Sequence, residues 1–136
     1  MVKKIKAIAL MELMLSAIFL SIIVASTLML FVACVSLNNS SRDMTAATIH
    51  AQCIMEDIKN SDFGNITTRD NNGDWDLSTS DIISPPYNLT ALDQETINTT
   101  VSSVGNLLEI NVRVDWSGVR GRSSNVSLLS YVADYQ

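Results

Sequence analysis

One carboxylate, Glu12, stands near the start of an apolar stretch that runs from Ile8 to Leu37. From Leu13 to Ser41 the chain holds no Asp, Glu, Lys or Arg. A carboxylate inside a bilayer costs about 2.5 to 3.5 kcal/mol on insertion scales, and such groups are commonly paired and functional. Near the membrane edge the same side chain can reach toward the interface instead. Glu12 therefore reads either as a tolerated edge residue or as an acid waiting for a cation.

Other chemistry-bearing residues are sparse. Asp70, Asn72, Asp74 and Asp76 alternate through Asp70-Asn71-Asn72-Gly73-Asp74-Trp75-Asp76, and oxygen ligands at alternate positions are what a calcium loop supplies. The glycine stands fourth rather than sixth, and the twelfth position is Asp81 rather than glutamate. These departures favour a solvated acidic turn over a calcium site. His50 is the only histidine; without a second histidine or a cysteine cluster it reads as an ordinary surface residue, on the polar side of a helix or at its margin. No glycine-rich phosphate loop, nucleophile elbow or cysteine pair at metal spacing occurs. Catalysis, a resident metal and a cofactor are not expected.

The apolar stretch exceeds the roughly 20 residues a membrane-spanning helix needs. The first glycine is Gly64 and the first proline Pro85, so no residue before Phe63 obliges the backbone to break. Lys3, Lys4 and Lys6 precede the stretch, while only Arg42, beside Asp43, follows it closely. Positive flanks stay cytoplasmic, so the remainder of the chain is expected outside the cytoplasm. A cleaved secretory signal has a similar outline, but its apolar region is usually only 7 to 15 residues. The formal charge of the 136 residues is −5, and without the three lysines six bases face 14 acids, a balance of −8. That argues against nucleic acid as a partner.

Beyond the stretch, Asn38, Asn39, Ser40 and Ser41 form a polar joint of poor helix propensity, where a helix can bend or fray. Met44, Ala47, Thr48, Ala51, Met55 and Ile58 then recur at three- and four-residue steps, the pattern of an amphipathic helix. Ile8 to about Asn60 could form one helix of about 80 Å, a membrane half over 8–37 and an amphipathic half over 38–60. On such a helix Cys34 and Cys53 lie about 30 Å apart, far beyond the roughly 7 Å between Cα atoms that a disulfide allows. Residues 61–93, rich in Asn, Asp, Ser and Thr and interrupted by Gly64, Gly73, Pro85 and Pro86, read as a long connection.

Three β-prone runs follow, at Thr96–Val101, Leu107–Trp116 and Asn125–Val132. In the middle run Leu108, Ile110, Val112, Val114 and Trp116 alternate with Glu109, Asn111, Arg113 and Asp115, which gives one buried face and one wet face. Short loops predict an antiparallel meander over 95–133 that covers the Met44, Ala51, Met55, Ile58 stripe. The fold class is therefore α+β.

The segment Lys6, Ala7, Ile8, Ala9, Leu10, Met11, Glu12, Leu13, Met14, Leu15 resembles the amino-terminal signal of type IV pilins and type II secretion pseudopilins. In that family a basic leader, here 1–7, is cut off by a prepilin peptidase. The new first residue is N-methylated, and the fifth mature residue is glutamate. The resemblance places the cut between Ala7 and Ile8 and makes Glu12 that fifth residue; the family prefers glycine where Ala7 stands. Ala46 to Lys59 resembles the lower stem of minor pilins, and Val112 to Trp116, Gly118, Arg122 and Ser127 to Asp134 look like their closing hairpin. No cysteine lies beyond Cys53 to close the carboxy-terminal loop of many major pilins, which points to a minor pilin or pseudopilin.

The resemblance implies a pilin-like fold, one long helix laid on a small meander, in a head spanning 61–136. It also implies a structural subunit of a type IV pilus or a secretion-type filament. Its partners would be other pilin or pseudopilin subunits, the prepilin peptidase and an inner-membrane assembly platform. The location would be a single pass in the cytoplasmic membrane, and then a filament outside it. A single-pass anchored binding or sensor domain outside the cytoplasm is the alternative.

Overall fold

In the absence of glycine and proline, helix α1 runs over Val2–Lys59, 58 residues. The structure, a computed structural model, describes the backbone of residues 2–118 and 121–133, and the side chains of 10–118 and 121–133. Two compact units divide the chain at Asn38/Asn39. The first is the apolar part of α1, and the second holds the remainder of α1 and everything after it.

The polar joint does not end the helix: residues 38–41 stay within α1. Their weak propensities cost a few tenths of a kcal/mol each. The Thr45 hydroxyl, turned back on the Ser41 carbonyl at 2.9 Å, keeps its own polar group inside the helix.

Residues 61–93 are more ordered than their composition suggests. They contain helix α2 over Phe63–Asn71, strand β1 over Leu77–Ser78 and helix α3 over Thr79–Ile83. Asp81 starts α3 through a capping box, with its carboxylate accepting the Ser78 amide at 2.9 Å. Those bonds with Ser78 hold its carboxyl below the ordinary range. Polar composition hides short helices whose single buried residues, Ile66 and Ile82, are too few to show a period.

The strands follow the alternation of the sequence. β2 spans Thr96–Val104, β3 Leu107–Ser117 and β4 Ser123–Ala133, all antiparallel in the order β1-β2-β3-β4. Gly105 and Asn106 join β2 to β3. Gly105 adopts φ 64°, the left-handed value that the first position of a primed hairpin turn demands. In β3 every second residue from Leu108 to Trp116 is buried, so the predicted wet and dry faces are both present.

One core joins Ala47, Ala51, Ile54, Met55 and Ile58 of α1 to Ile66, Trp75, Ile82, Ile97 and the dry face of β3. The second unit is thus a helix laid on an antiparallel meander, the pilin-like α+β layout expected. Met44 departs from the expected stripe, because it is 53% exposed. The buried face of α1 instead repeats as 47, 50, 51, 54, 55, 58, and it includes His50. Burying a core of this size contributes most of the drive to fold, at about 25 cal/mol per Å² of apolar surface.

Candidate functional site

Two sets of residues invite a function: the apolar part of α1 with Glu12, and the polar groups buried in the second unit. From Leu10 to Leu37 the large apolar side chains of α1 are all exposed, Leu13 at 72% and Phe31 at 67% among them. The helix is long and apolar enough to cross a membrane. Four of its hydroxyls are satisfied within the helix. Ser16, Ser21, Ser26 and Thr27 each turn back onto a carbonyl three or four residues earlier, at 2.7 to 2.8 Å. In hydrocarbon such internal bonds remove the penalty of an unpaired hydroxyl.

Glu12 lies on this exposed surface, and its carboxylate meets no cation among the described residues. Only its backbone carbonyl is engaged, by Ser16. Ala7 and Ile8, the expected processing pair, lie within α1, but their side chains fall outside the described ones. Both cysteines are free thiols. Burial raises the pKa of the Cys53 thiol above its ordinary value, helped by the negative charges of Glu56 and Asp57.

In the second unit His50 overturns its reading as a surface residue. It is 4% exposed, and its Nδ1 is hydrogen-bonded to Oε1 of Glu95 at 2.7 Å. Glu95 is fully buried, and its Oε2 accepts the Leu92 amide at 2.7 Å. Its backbone carbonyl accepts the Thr79 hydroxyl at 2.9 Å. The pair therefore ties α1 to the segment entering β2 and to the start of α3. Sequence reasoning missed Glu95 altogether, because its partner lies 45 residues away and a lone acid in a polar segment carries no signal. His50 was misplaced because histidine counts as polar on a helical wheel, although its position fits the buried face.

A second polar anchor surrounds Trp75, which is 1% exposed. Its indole N–H donates to Oδ2 of Asp57 on α1 at 2.8 Å, while the Arg69 guanidinium covers the ring at 4.5 Å. Tyr87 sits beside the same carboxylate, and burial followed by the charge of Asp57 pushes its phenol pKa up.

The alternating acids do different work from a calcium loop. Oδ1 of Asp76 accepts the Thr99 amide at 2.8 Å, and Oδ2 of Asp70 accepts the Val101 amide at 3.1 Å. Asp74 pairs with Arg69 at 3.1 Å, and Asn72 caps the end of α2. Among the described residues no group of three or more His, Cys, Asp or Glu is arranged to hold a metal. β1 pairs only with Thr96 and Ile97, so Asp76 and Asp70 continue the missing strand by offering carboxylate oxygens to the next outward amides of β2. Burial and the charge of Asp76 raise the pKa of Asp70, although the Val101 amide works against them.

Comparison of the chain with protein-family models, with curated proteins and with solved structures finds no match.

Proposed function

We propose that this chain is a structural subunit, a minor pilin or pseudopilin, of a filament of the type IV pilus or type II secretion kind. The reading rests on Glu12: a single acid in an otherwise uncharged apolar stretch, 8–37, whose large side chains from Leu10 onward are exposed, and the fifth residue of the chain once 1–7 are removed. Cutting after Ala7 frees an α-amino group on Ile8, with an ordinary pKa near 7.7 to 8.0, and methylation leaves it able to carry charge. In a bundle of parallel stems with a small axial stagger, the Glu12 carboxylate of one subunit meets the Ile8 amine of its neighbour. The pairing sets the register of the bundle, the best attested use of buried ionic groups. Before assembly the same surface faces lipid, and the lysine leader holds the amino terminus in the cytoplasm.

The pilin-like layout of the head supports this reading without carrying it. A permanently anchored domain outside the cytoplasm is the second reading, supported by the length and apolarity of the helix alone. Two measurements separate them. The mature amino terminus recovered from cells with an active prepilin peptidase should be methylated Ile8; recovery of intact Met1 alone favours the anchor. Glu12→Ala should still insert in the membrane but fail to enter sheared filaments, and its normal incorporation would remove the register lock.

A further inference from the structure

Asparagine followed two residues later by serine or threonine occurs at Asn38, Asn39, Asn65, Asn88, Asn98 and Asn125. In a chain rich in these residues such triplets read as loop chemistry. Their number is nevertheless high. Ser and Thr make up 27 of the 136 residues, so the 11 asparagines would meet one at that spacing about twice by chance, and six do. The structure also removes the loop explanation from two of them, because Asn98 lies within β2 and Asn125 within β4. Asparagine is depleted from strands and forms no turn there, so backbone conformation accounts for neither.

The strands give both triplets the same presentation. Side chains two apart in a strand point to one face, so Asn98 with Thr100, and Asn125 with Ser127, each set an amide beside a hydroxyl. The middle residues turn the other way: Thr99 is buried and Val126 packs against the core. All four outer residues are exposed. Asn98 stands opposite Arg113, which stands opposite Ser127, and Asn125 stands opposite Asp115. Both asparagines are therefore on the wet face of the sheet, away from α1. Asn65 differs, because it lies in α2, where two residues turn through about 200° and part the amide from the hydroxyl. Asn38 and Asn39 are helical in the same way. Asn88 has φ 51°, a turn conformation that accounts for asparagine by itself.

We propose that Asn98 and Asn125 are N-glycosylation sites, supplied by a sugar donor of the polyprenyl phosphate class. The hydroxyl two residues on defines the acceptor triplet for such transfer. A lipid-linked donor is held at the membrane, on the side where the lysine flank places the head. The inference rests on that location, which the filament and anchored readings share. In the transfer Nδ2 of asparagine bonds to the anomeric carbon of the sugar as the bond from that carbon to the donor's phosphate oxygen breaks. The phosphate leaves with the electron pair and takes up the proton that the amide loses. Transfer to the extended chain precedes closure of the sheet. The wet face then carries both sugars without displacing a core residue, as a bulky hydrophilic group on the surface requires.

The test is mass-spectrometric mapping of the full-length protein purified from its native cells, with fragmentation that keeps side-chain groups attached. Asn98 and Asn125 should each carry a mass addition that contains hexose or hexosamine, and Asn111 should carry none. Asn111 lies on the same face, opposite Thr100, but Arg113 stands where the hydroxyl is needed. Thr100→Ala should remove the addition from Asn98 and leave that on Asn125; Ser127→Ala should do the reverse. Thr100→Ser should keep both. Bare Asn98 and Asn125 in the unaltered protein overturn the proposal, whether or not the variants accumulate. An addition that survives loss of its hydroxyl overturns it too. Protease added to spheroplasts reads the location separately. A digested head with bare asparagines refutes the modification alone, whereas an undigested head refutes the location and with it the lipid-linked donor.

Discussion

At Glu95 a single side chain satisfies the His50 imidazole and the Leu92 amide from a fully buried position. Removing a buried acceptor leaves its donors unpaired, and each such group costs about 1 to 3 kcal/mol. Glu95→Ala should therefore lower stability by about 3 kcal/mol, measured by thermal or denaturant unfolding of the detergent-solubilised protein. Glu95→Gln, which keeps an acceptor, should recover part of the loss. An alanine variant as stable as the parent would show that water replaces the carboxylate. Glu12 presents the opposite case, a carboxylate that meets no cation among the described residues.

Among the elements, β2 depends on carboxylates where β1 stops. Asp76→Ala should speed amide exchange at Thr99 and cost about 1 kcal/mol, the net worth of one hydrogen bond. Asp70→Asn separates the bond from the charge, since the amide oxygen can still accept from Val101. The raised pKa of Asp70 means that its contribution to stability is greatest below the unfolded carboxyl pKa of about 3.9 and is lost as pH rises through the folded value. The asparagine variant should match or exceed the parent in unfolding temperature at pH 7, with the difference shrinking near pH 3. A clear loss of stability at pH 7 would show that the charge itself strengthens the bond to Val101.

For the whole molecule the asymmetry of charge around the apolar stretch predicts an orientation in the membrane. Lys3, Lys4 and Lys6 stand on one flank, with Arg42 beside Asp43 on the other. Replacing the three lysines by glutamate should leave a substantial share of the protein inverted or uninserted. Protease added to spheroplasts should digest the head of the parent and spare that of the variant; equal digestion of both would show that orientation is set elsewhere. The experiment reads topology alone and is independent of whether filaments form.

The long helix, the three main strands and the two faces of β3 were legible because each is a periodic pattern spread over many residues, and burial follows period. The apolar stretch and its one acid were equally plain, since length and charge can be counted along a chain. His50, Glu95, Asp70 and Asp76 were not. Their roles come from partners 23 to 45 residues away, brought into reach only when α1, α2 and β2 pack around one core. A polar residue has the same composition whether it faces water or completes a ladder. Only the folded arrangement of neighbours distinguishes a solvated acidic turn from two carboxylates closing the edge of a sheet, or a surface histidine from one held in the core by a buried glutamate.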